Sequence, residues 1–400
     1  MNILFVSLGD FDNLQEGSVH IDLLKQLSEE HSVYLLCKRE RRQKKPTELT
    51  RECNINVLRV KTGNIKNTNL IEKGISMIML ERQFLRAVKK HLKSVKFDLI
   101  LYATPPITIV KTVKFVKKRD NAKTYLLLKD IFPQNAVDLG MMKKSGLKGV
   151  LFKYFRNKEK KLYEISDYIG CMSQANVDYT LKMNPEISSD KVGICPNSIK
   201  YVDMSVSDDE RCALRTKYGI PLDKKVFVYG GNLGRPQGIP FIIDCLKAVA
   251  DNDGAFFLIV GGGTEYSKLE EFVNTEKPKN VKLMRSLPKS DYDKMVAACD
   301  VGMIFLDHRF TIPNFPSRLL AYMQAAIPVI ACTDPNTDIG DVITEGDFGW
   351  WCESNSAEDF TRIVNSALSA DLPAMGQRGV KYLIDNYTVE KSCELIKRQF

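Results

Sequence analysis

Two segments in the second half of the chain combine backbone freedom with a fixed positive charge. The first, 226–238 (VFVYGGNLGRPQG), runs from strand-like apolar residues into Gly230 and Gly231 and then reaches Arg235. Glycines let a backbone turn tightly beside a ligand, and a guanidinium suits phosphate oxygens. The amides of the following helix, expected to start near Pro240, also favour an anion. The pattern favours a phosphate-binding loop over a plain strand-to-helix turn.

The second segment, 314–332 (NFPSRLLAYMQAAIPVIAC), has an arginine where a helix is expected to begin. We expect Ser317 to cap this helix and Arg318 to supply a second charge. If both segments face one diphosphate, two guanidinium groups and two helix N-termini hold it. A third glycine turn lies within 259–272 (IVGGGTEYSKLEEF) and is expected to allow close packing near the nucleotide.

The first half of the chain has two candidate ligand-binding positions. Gly17 and Ser18 come just before a helix-like segment, and Lys129 and Asp130 end a strand-like segment before a proline-containing loop. Asp130 has two interpretations at this stage. It could cap the next helix, or it could grip a sugar hydroxyl, because ligands of parallel sheets bind beyond the strand carboxyl ends.

These positions are spaced along two series of alternating strand-like and helix-like segments. Continuous apolar strands that alternate with helices are typical of parallel sheets covered on both faces. The sequence therefore predicts an α/β fold with two doubly wound Rossmann-like domains that face a central cleft. The expected strands are 2–8, 32–37, 97–103, 123–130 and 168–173 in the first series, and 225–231, 255–263, 281–287, 301–307 and 327–332 in the second.

The polar stretch 200–224 separates the two series and predicts the domain junction. We expect a first domain over 1–200, which binds the acceptor, and a second over 201–384, which binds the donor. A C-terminal helix, about 385–400, is expected to return to the first domain.

Charge is distributed unevenly between the two series. Residues 1–200 contain 36 Lys and Arg against 21 Asp and Glu, whereas the rest contains 22 against 28. A basic half can face nucleic acid, an anionic membrane or an anionic ligand. We find no RNA- or DNA-binding motif and expect no nucleic-acid partner. Segments 72–93 and 141–169 mix basic and apolar residues at helical spacing; each alone fits a helix packed on its own sheet, but together they favour docking on an anionic leaflet.

The remaining composition favours a reducing compartment. Ten cysteines are scattered singly, without a C-x-x-C pair or metal-ligand spacing, which is typical of buried thiols in a cytoplasm. No apolar run reaches the length of a bilayer, and Met1 leads directly into a strand-like segment.

The ordered motifs GSVHIDLLKQL, LKDIFPQNAVDLG, YGGNLGRPQG, VGGG and PSRLLAYMQAAIPVIA resemble glycosyltransferase family 4 across essentially the whole chain. These are retaining GT-B enzymes that use nucleotide sugars. The similarity is closest to the bacterial surface-polysaccharide subgroup that includes N-acetylfucosamine transferases of O-antigen assembly. It implies a UDP-linked donor, an N-acetylated amino sugar, a polyprenyl-diphosphate-linked saccharide acceptor, and a cytoplasmic location peripheral to the inner face of the cell membrane.

The resemblance also implies roles for individual residues. The catalytic residues would be Arg235, Arg318 and Asp130. The acceptor side would include Ser18, Lys129 and Asn135. The donor would contact Gly17, Gly231, Asn232, Gly234, Gln237, Gly262, Leu287, Phe315 and Ser317.

This chain departs from the family pattern at four positions. The family's paired glutamates, the second of which binds ribose, are replaced by Pro313 and Ala321. The Arg and Lys of the first phosphate loop are replaced by Asn232 and Gln237, and we expect Arg235 to supply the displaced charge.

Metal ions are not expected to take part. Asp-x-Asp pairs occur at 10–12 and 291–293. The second lies at the start of a helix, where capping and solvation explain it, and the first is in the acceptor half. Two other functions stay open from the sequence: a UDP-sugar 2-epimerase with the same fold, and a membrane-docked scaffold without catalysis.

Overall fold

A computed structural model describes residues 1–9, 11–65 and 68–400, which form two compact units. The first unit consists of residues 1–200 and 389–400, and the second of residues 201–388. Each unit contains one sheet of mainly parallel strands covered by helices, so the predicted α/β class with two Rossmann-like domains is confirmed. Among the described residues, no helix combines the length and the apolar character needed to cross a bilayer.

The first unit is built on an eight-stranded sheet in the order β3-β4-β2-β1-β5-β6-β7-β8. Only β3 is antiparallel to its neighbour. The strands are β1 (Asn2–Val6), β2 (Ser32–Glu40), β3 (Glu48–Glu52), β4 (Ile55–Thr62), β5 (Leu99–Ala103), β6 (Lys123–Leu128), β7 (Tyr168–Cys171) and β8 (Val192–Ile194). The helices before the junction are α1 (Val19–Ser28), α2 (Leu70–His91), α3 (Val110–Asp120), α4 (Gln134–Asp138), α5 (Gly146–Ile165) and α6 (Gln174–Met183).

Both faces of this sheet are buried, which explains the continuous apolar strands. In β1, Leu4 and Val6 belong to one hydrophobic cluster, while Ile3 and Phe5 belong to another that includes residues of α1. Successive side chains of a strand point to opposite faces, so a strand covered on both sides must be apolar throughout.

The second unit has a six-stranded sheet in the order β11-β10-β9-β12-β13-β14, and all its pairs are parallel. The strands are β9 (Lys225–Asn232), β10 (Ala255–Gly262), β11 (Val281–Arg285), β12 (Val301–Phe305), β13 (Val329–Thr333) and β14 (Gly349–Glu353). The helices are α7 (Asp208–Lys217), α8 (Ile239–Ala248), α9 (Tyr266–Glu276), α10 (Lys289–Ala297), α11 (Arg318–Gln324), α12 (Ile339–Glu345), α13 (Ala357–Ser369) and α14 (Leu372–Asn386).

Four strands have no counterpart in the sequence prediction: β3, β4, β8 and β14. Strand β3 (ELTRE) is polar and partly exposed because it lies at an edge, so it lacks an apolar run. Strands β8 and β14 are the opposite edges of their sheets, and both are short. Edge strands are covered on fewer sides, which weakens their hydrophobic pattern.

The stretch 200–224 is not a simple linker, because it contains α7. This helix begins with a capping box in which Ser207 and Glu210 satisfy each other's backbone amides. From α7, Arg215 donates to Asp300 Oδ2 at 2.6 Å, and the same oxygen accepts from the Val226 amide at 2.6 Å. Arg215 and Asp300 are buried, so this network fixes α7 to the start of β9 within the second unit.

The last helix, α15 (Val389–Lys397), belongs to the first unit. The amide of Val389 donates to the carbonyl of Ile199 at 3.1 Å. Val389, Cys393 and Ile396 are buried in the cluster that also contains Ile21 of α1.

We expect Asp300→Ala to destabilise the second unit by about 3–5 kcal/mol, because it leaves the Arg215 guanidinium buried without its counter-charge. Urea unfolding measures the change. The matched control is Asp293→Ala, which removes an ion pair with Lys289 on the surface of α10 and should cost under about 1 kcal/mol. Equal effects of the two substitutions would contradict the structural role given to Asp300.

Candidate functional site

The glycine loop after β9 is shaped by what lies against it. A Cβ on Gly230 would lie 1.7 Å from the Tyr292 hydroxyl, and one on Gly231 would lie 3.3 Å from Arg318 Nη2. Gly231 also has φ +126°, which side chains rarely adopt. Glycine is therefore required at both positions. Neither residue has a side chain that covers the backbone at the carboxyl end of β9.

Two amide side chains hold the next part of this loop together. Gln237 Oε1 accepts from Asn232 Nδ2 at 3.1 Å and from the Gly234 amide at 3.2 Å. Gln237 is buried in a short 3-10 turn, and α8 starts at Ile239, one residue from the predicted position. Asn232 and Gln237 thus fix the loop's shape and add no charge.

Arg318 lies against this loop with unused hydrogen-bonding capacity. Its guanidinium carbon lies 4.4 Å from the centre of the Tyr229 ring, a cation–π contact. Its Nη1 is buried and has no hydrogen-bond partner among the described residues. A buried donor of a charged group is costly to leave unpaired, so this atom is suited to an anionic oxygen.

Arg235 is placed differently from Arg318. Its side chain is 54% exposed, and its Nε lies 3.7 Å from Glu265 Oε1 just before α9. Lys268 also pairs with Glu265. Glu265 therefore partly balances the charge of Arg235, whose side chain is solvated. The charge of Arg318, in contrast, is held in place by packing.

The third glycine turn packs against the first. A Cβ on Gly261 would lie 2.1 Å from the Gly231 carbonyl oxygen, and one on Gly263 would lie 2.4 Å from that of Leu233. A Cβ on Gly262 would meet Ser286 Oγ at 3.3 Å. Leu287 is half-buried in the loop that follows β11.

The segment before α11 differs from expectation in one respect. Ser317 occupies the N-cap position, but its backbone is helical and its side chain makes no capping hydrogen bond, so the predicted Ser317 cap is wrong. Phe315 is buried, with its ring 6.0 Å from that of Tyr387. Helix α11 has only seven residues, so its N-terminus adds less to anion binding than we expected.

Three tyrosines that the sequence reasoning missed surround Arg318 and the glycines. Tyr322 accepts from the Gly230 amide at 3.3 Å, and its hydroxyl lies 3.2 Å from the Val228 oxygen and 3.1 Å from that of Met303. It therefore joins β9 to β12 where their ladder ends.

The other two are Tyr229 beneath Arg318 and Tyr292 over Gly230. The sequence holds a signal for Tyr292, because it is the middle residue of the second Asp-x-Asp pair.

The candidate residues of the first unit lie after β1 and β6. Ser18 caps α1, with its Oγ accepting from the Ile21 amide at 3.3 Å. A Cβ on Gly17 would lie 3.0 Å from Asp22 Oδ1. The loop before α1 is thus tightly packed, and the exposed Ser18 uses its hydroxyl for capping.

After β6, Lys129 and Asp130 are held by the same residue. Thr104 Oγ1 accepts from the amides of Lys129 at 3.0 Å and Asp130 at 3.2 Å. Lys129 Nζ donates to the Cys195 carbonyl at 3.0 Å, and burial lowers the pKa of this amine.

The carboxyl of Asp130 accepts from Asn135 Nδ2 at 2.7 Å, while burial raises its pKa to about 6. Asn135 Oδ1 is buried and has no partner among the described residues. Asp130 does not cap α4, whose N-cap is Pro133, so the capping alternative is wrong.

His20 lies in the first turn of α1 and packs against two aromatic rings. Its ring lies 5.4 Å from that of Phe5 and 6.3 Å from that of Phe11. Burial, followed by the charge of Lys129, lowers the pKa of His20 to about 4, so it is neutral at physiological pH. Two residues from different loops of the first unit therefore affect each other electrostatically.

Neither Asp-x-Asp pair forms a metal site among the described residues. Asp10 lies outside them, and Asp12 accepts from Gln43 Nε2 at 2.7 Å. Asp293 pairs with Lys289 in α10. Within the described parts of the chain, no group of three or more His, Cys, Asp or Glu side chains is arranged to hold a metal ion.

Comparisons with known proteins indicate the activity of the chain. Residues 210–385 match the family model described as Glycosyl transferases group 1. The chain is 24% identical over 331 residues to a probable glycosyltransferase, WbjE of Pseudomonas aeruginosa, covering 81% of this chain and 79% of that protein. It is 24% identical over 249 residues to WcaI of Escherichia coli K12, a putative colanic acid biosynthesis glycosyl transferase, covering 61% of this chain and 60% of that protein.

A solved structure supports the same fold over the full length. HepE of Anabaena, solved in complex with UDP, is similar with a TM-score of 0.69 at 14% identity, covering 100% of this chain and 99% of that one. The glycine loop and the unpartnered Arg318 nitrogen lie within the part of the chain that the family model matches. The chain is therefore a glycosyltransferase with two parallel-sheet units of the GT-B type.

Proposed function

We propose that this enzyme is a retaining family 4 glycosyltransferase that moves an N-acetylated amino sugar, as in the N-acetylfucosamine subgroup, from a UDP-linked donor. The acceptor is a polyprenyl-diphosphate-linked saccharide in capsule, O-antigen or exopolysaccharide synthesis, and no metal is required. WcaI is named for colanic acid biosynthesis, and HepE was solved with UDP, which supports the pathway class and the donor.

The observation that carries the proposal is the buried Arg318 Nη1 without a partner beside Gly231. Breaking the bond between sugar and diphosphate places charge on the leaving phosphate. Donors held in advance where this charge develops stabilise the transition state more than the ground state. The contact with Tyr229 fixes the Arg318 guanidinium before the donor arrives, so little reorganisation is needed.

These groups can supply the required stabilisation of the transition state. A modest enzymatic acceleration needs about 8 kcal/mol. Charge-assisted hydrogen bonds contribute roughly 1.5–3 kcal/mol each. Arg318 and Arg235 can each donate two such bonds, and together they supply a sum of that order. Arg235 acts as the more mobile contact, since it must leave Glu265 to reach a phosphate oxygen.

On the acceptor side, Asp130 orients the attacking hydroxyl. Ionised above its pKa of about 6, its carboxylate can accept a hydrogen bond from a sugar hydroxyl, while Asn135 holds it in position. The unpartnered Asn135 Oδ1 offers a second acceptor beside it. In the retaining mechanism we propose, the acceptor hydroxyl attacks on the face the phosphate leaves, and the phosphate takes its proton.

We place the membrane contact on α2 and α5 of the first unit. Helix α2 exposes Ile75 and Ile78, and α5 exposes Val150 and Leu151. Both groups lie in the N-terminal halves of their helices. Lys158 of α5 donates to Glu81 of α2 at 3.0 Å, so the two helices are neighbours.

The surrounding residues are basic, which favours an anionic leaflet. The exposed Lys143, Lys144 and Lys153 lie before or within α5, and Lys73 lies in the first turns of α2.

We expect Arg318→Ala to lower kcat/KM by about 10²-fold or more, because it removes a preorganised donor to the leaving phosphate. Sugar transfer is measured with chelator present, since the proposal needs no metal. Arg235→Ala should have a smaller effect. The matched control is Arg362→Ala, an exposed arginine of α13 that should change little.

Near-normal transfer by Arg318→Ala, with intact folding, would contradict the proposed role. Incubation with donor alone is the second control. Conversion of the donor sugar to its epimer without an acceptor would indicate an epimerase instead.

We expect transfer to fall as the pH drops through about 6, because protonation of Asp130 removes the acceptor of the hydroxyl's hydrogen bond. The pKa of this carboxyl is raised, so the ionised, active form is populated only above that value. Asp130→Asn should be about tenfold or more slower at pH 8 and should lose this acidic limb. Asp178→Asn, on the surface of α6, should keep it. A wild-type profile without an acidic limb near pH 6 would contradict the role of Asp130.

We expect the protein to bind anionic liposomes at low salt and the Val150→Glu, Leu151→Glu double variant to bind at least about tenfold more weakly, because two inserted apolar side chains are lost. Sedimentation with vesicles measures the change. Leu222→Glu, an equally exposed position in the second unit, is the control and should bind normally. Absence of wild-type binding would exclude this surface.

A further inference from the structure

The first unit contains a groove whose wall includes Ile75, one of the exposed residues of α2. It has a volume of about 780 Å³ and lies between the N-terminal half of α2 and the segment that follows β4. Its walls include Ile75, Ser76 and Met79 of α2 and Gly63 of the following segment, and Arg41 and Glu72 lie at its rim. Small-molecule sites usually enclose about 300–1,000 Å³, so the groove has the size of a ligand site.

The groove is formed by close packing that glycine permits. A Cβ on Gly63 would lie 2.1 Å from Ser76 Oγ, so the segment after β4 rests directly on α2. Ile75 and Met79 are on one wall, and Ile75 is 58% exposed. Exposed aliphatic side chains in a concave surface favour an apolar ligand.

The rim of the groove is basic. The segment 38–45 (KRERRQKK) contains six basic residues and one acidic residue. Arg41 Nη2 donates to Glu72 Oε1 at 2.9 Å, and the Arg42 amide donates to Asn64 Oδ1 at 3.1 Å, so this segment is fixed at the groove. Lys44 and Lys45 are exposed and have no ion-pair partner in the described part of the chain. Glu72 balances the charge of Arg41, and Glu40 balances that of Arg42. Lys44 and Lys45 therefore carry the excess positive charge beside the apolar groove, which is complementary to a molecule with an anionic head and an apolar tail.

We propose that this groove binds the first isoprenoid units of a polyprenyl diphosphate, with the diphosphate at the basic rim formed by Arg41, Arg42, Lys44 and Lys45. This inference rests on the lipid-linked acceptor of the proposed function and gives its lipid a site. The groove follows β4, at the same carboxyl edge of the sheet as Asp130. Strand β4 lies four positions from β6, which corresponds to about 19 Å across the sheet.

A contact with the leaflet alone would need only a flat apolar face. The basic rim and the groove together fit a single amphiphile, whose head and tail are covalently joined. Ile75 and Ile78 distinguish binding in the groove from contact with the leaflet. Both are similarly exposed on α2, at 58% and 53%, but of the two only Ile75 lines the groove.

Calorimetry with farnesyl diphosphate below its micellar concentration tests the site. The wild type should bind it, and Ile75→Glu should bind at least about tenfold more weakly, because one aliphatic contact is worth about that factor. The matched control, Ile78→Glu, should stay within about twofold. Inorganic diphosphate should bind at least about tenfold more weakly than farnesyl diphosphate, and Lys44→Glu, Lys45→Glu should weaken farnesyl diphosphate binding most at low salt.

Three results would overturn the site: no binding of farnesyl diphosphate by the wild type, equal weakening by Ile75→Glu and Ile78→Glu, or inorganic diphosphate binding as tightly as farnesyl diphosphate. The measurement needs no sugar donor. If the protein binds farnesyl diphosphate as expected but cannot transfer sugar, the proposed function is refuted and the lipid site in the groove is still supported. If the protein transfers sugar to a lipid-linked acceptor, Ile75→Glu does not affect this transfer and farnesyl diphosphate does not bind, the lipid site is refuted and the proposed function is still supported.

Discussion

The close approach of side chains to the glycine backbone at the end of β9 determines how the second unit can hold an anion. Tyr292 and Arg318 occupy the space where side chains of Gly230 and Gly231 would be, and Tyr322 joins β9 to β12 below them. The loop is therefore shaped by residues of two separate helices, α10 and α11. A guanidinium is fixed beside its backbone, at Gly231.

Charge in this site is concentrated on few groups. Asn232 and Gln237 bond to each other, so two neutral side chains hold this part of the loop in shape. Arg235 is exposed and paired with Glu265, whereas Arg318 is packed on Tyr229. A fixed charge contributes more to transition-state stabilisation than a mobile one, because no ordering is needed during the reaction. This difference makes Arg318 the principal candidate.

The first unit uses burial instead of paired charges to prepare its polar groups. Asp130 is largely desolvated and held by Asn135, and His20 is kept neutral beside Lys129. Groups with shifted pKa values collect at functional sites, since the same desolvation that shifts them also strengthens their interactions with a ligand. The basic segment at Arg41 and the apolar groove of α2 give this unit a second surface suited to an anionic, lipid-bearing molecule.

The sequence by itself determined the alternation of strands and helices, the glycines after β9 and the arginine that opens α11, because these depend on local patterns of apolar residues and backbone freedom. The sequence did not predict edge strands such as β3 or the helix α7 within 200–224, because their apolar pattern is weak. Only the tertiary structure decided that Tyr292 covers Gly230, that Arg235 pairs with Glu265, and that Ser317 does not cap its helix. The contacts of Tyr292 with Gly230 and of Arg235 with Glu265 join residues 30 or more positions apart. Strand order and packing therefore determine these contacts, and the local sequence does not.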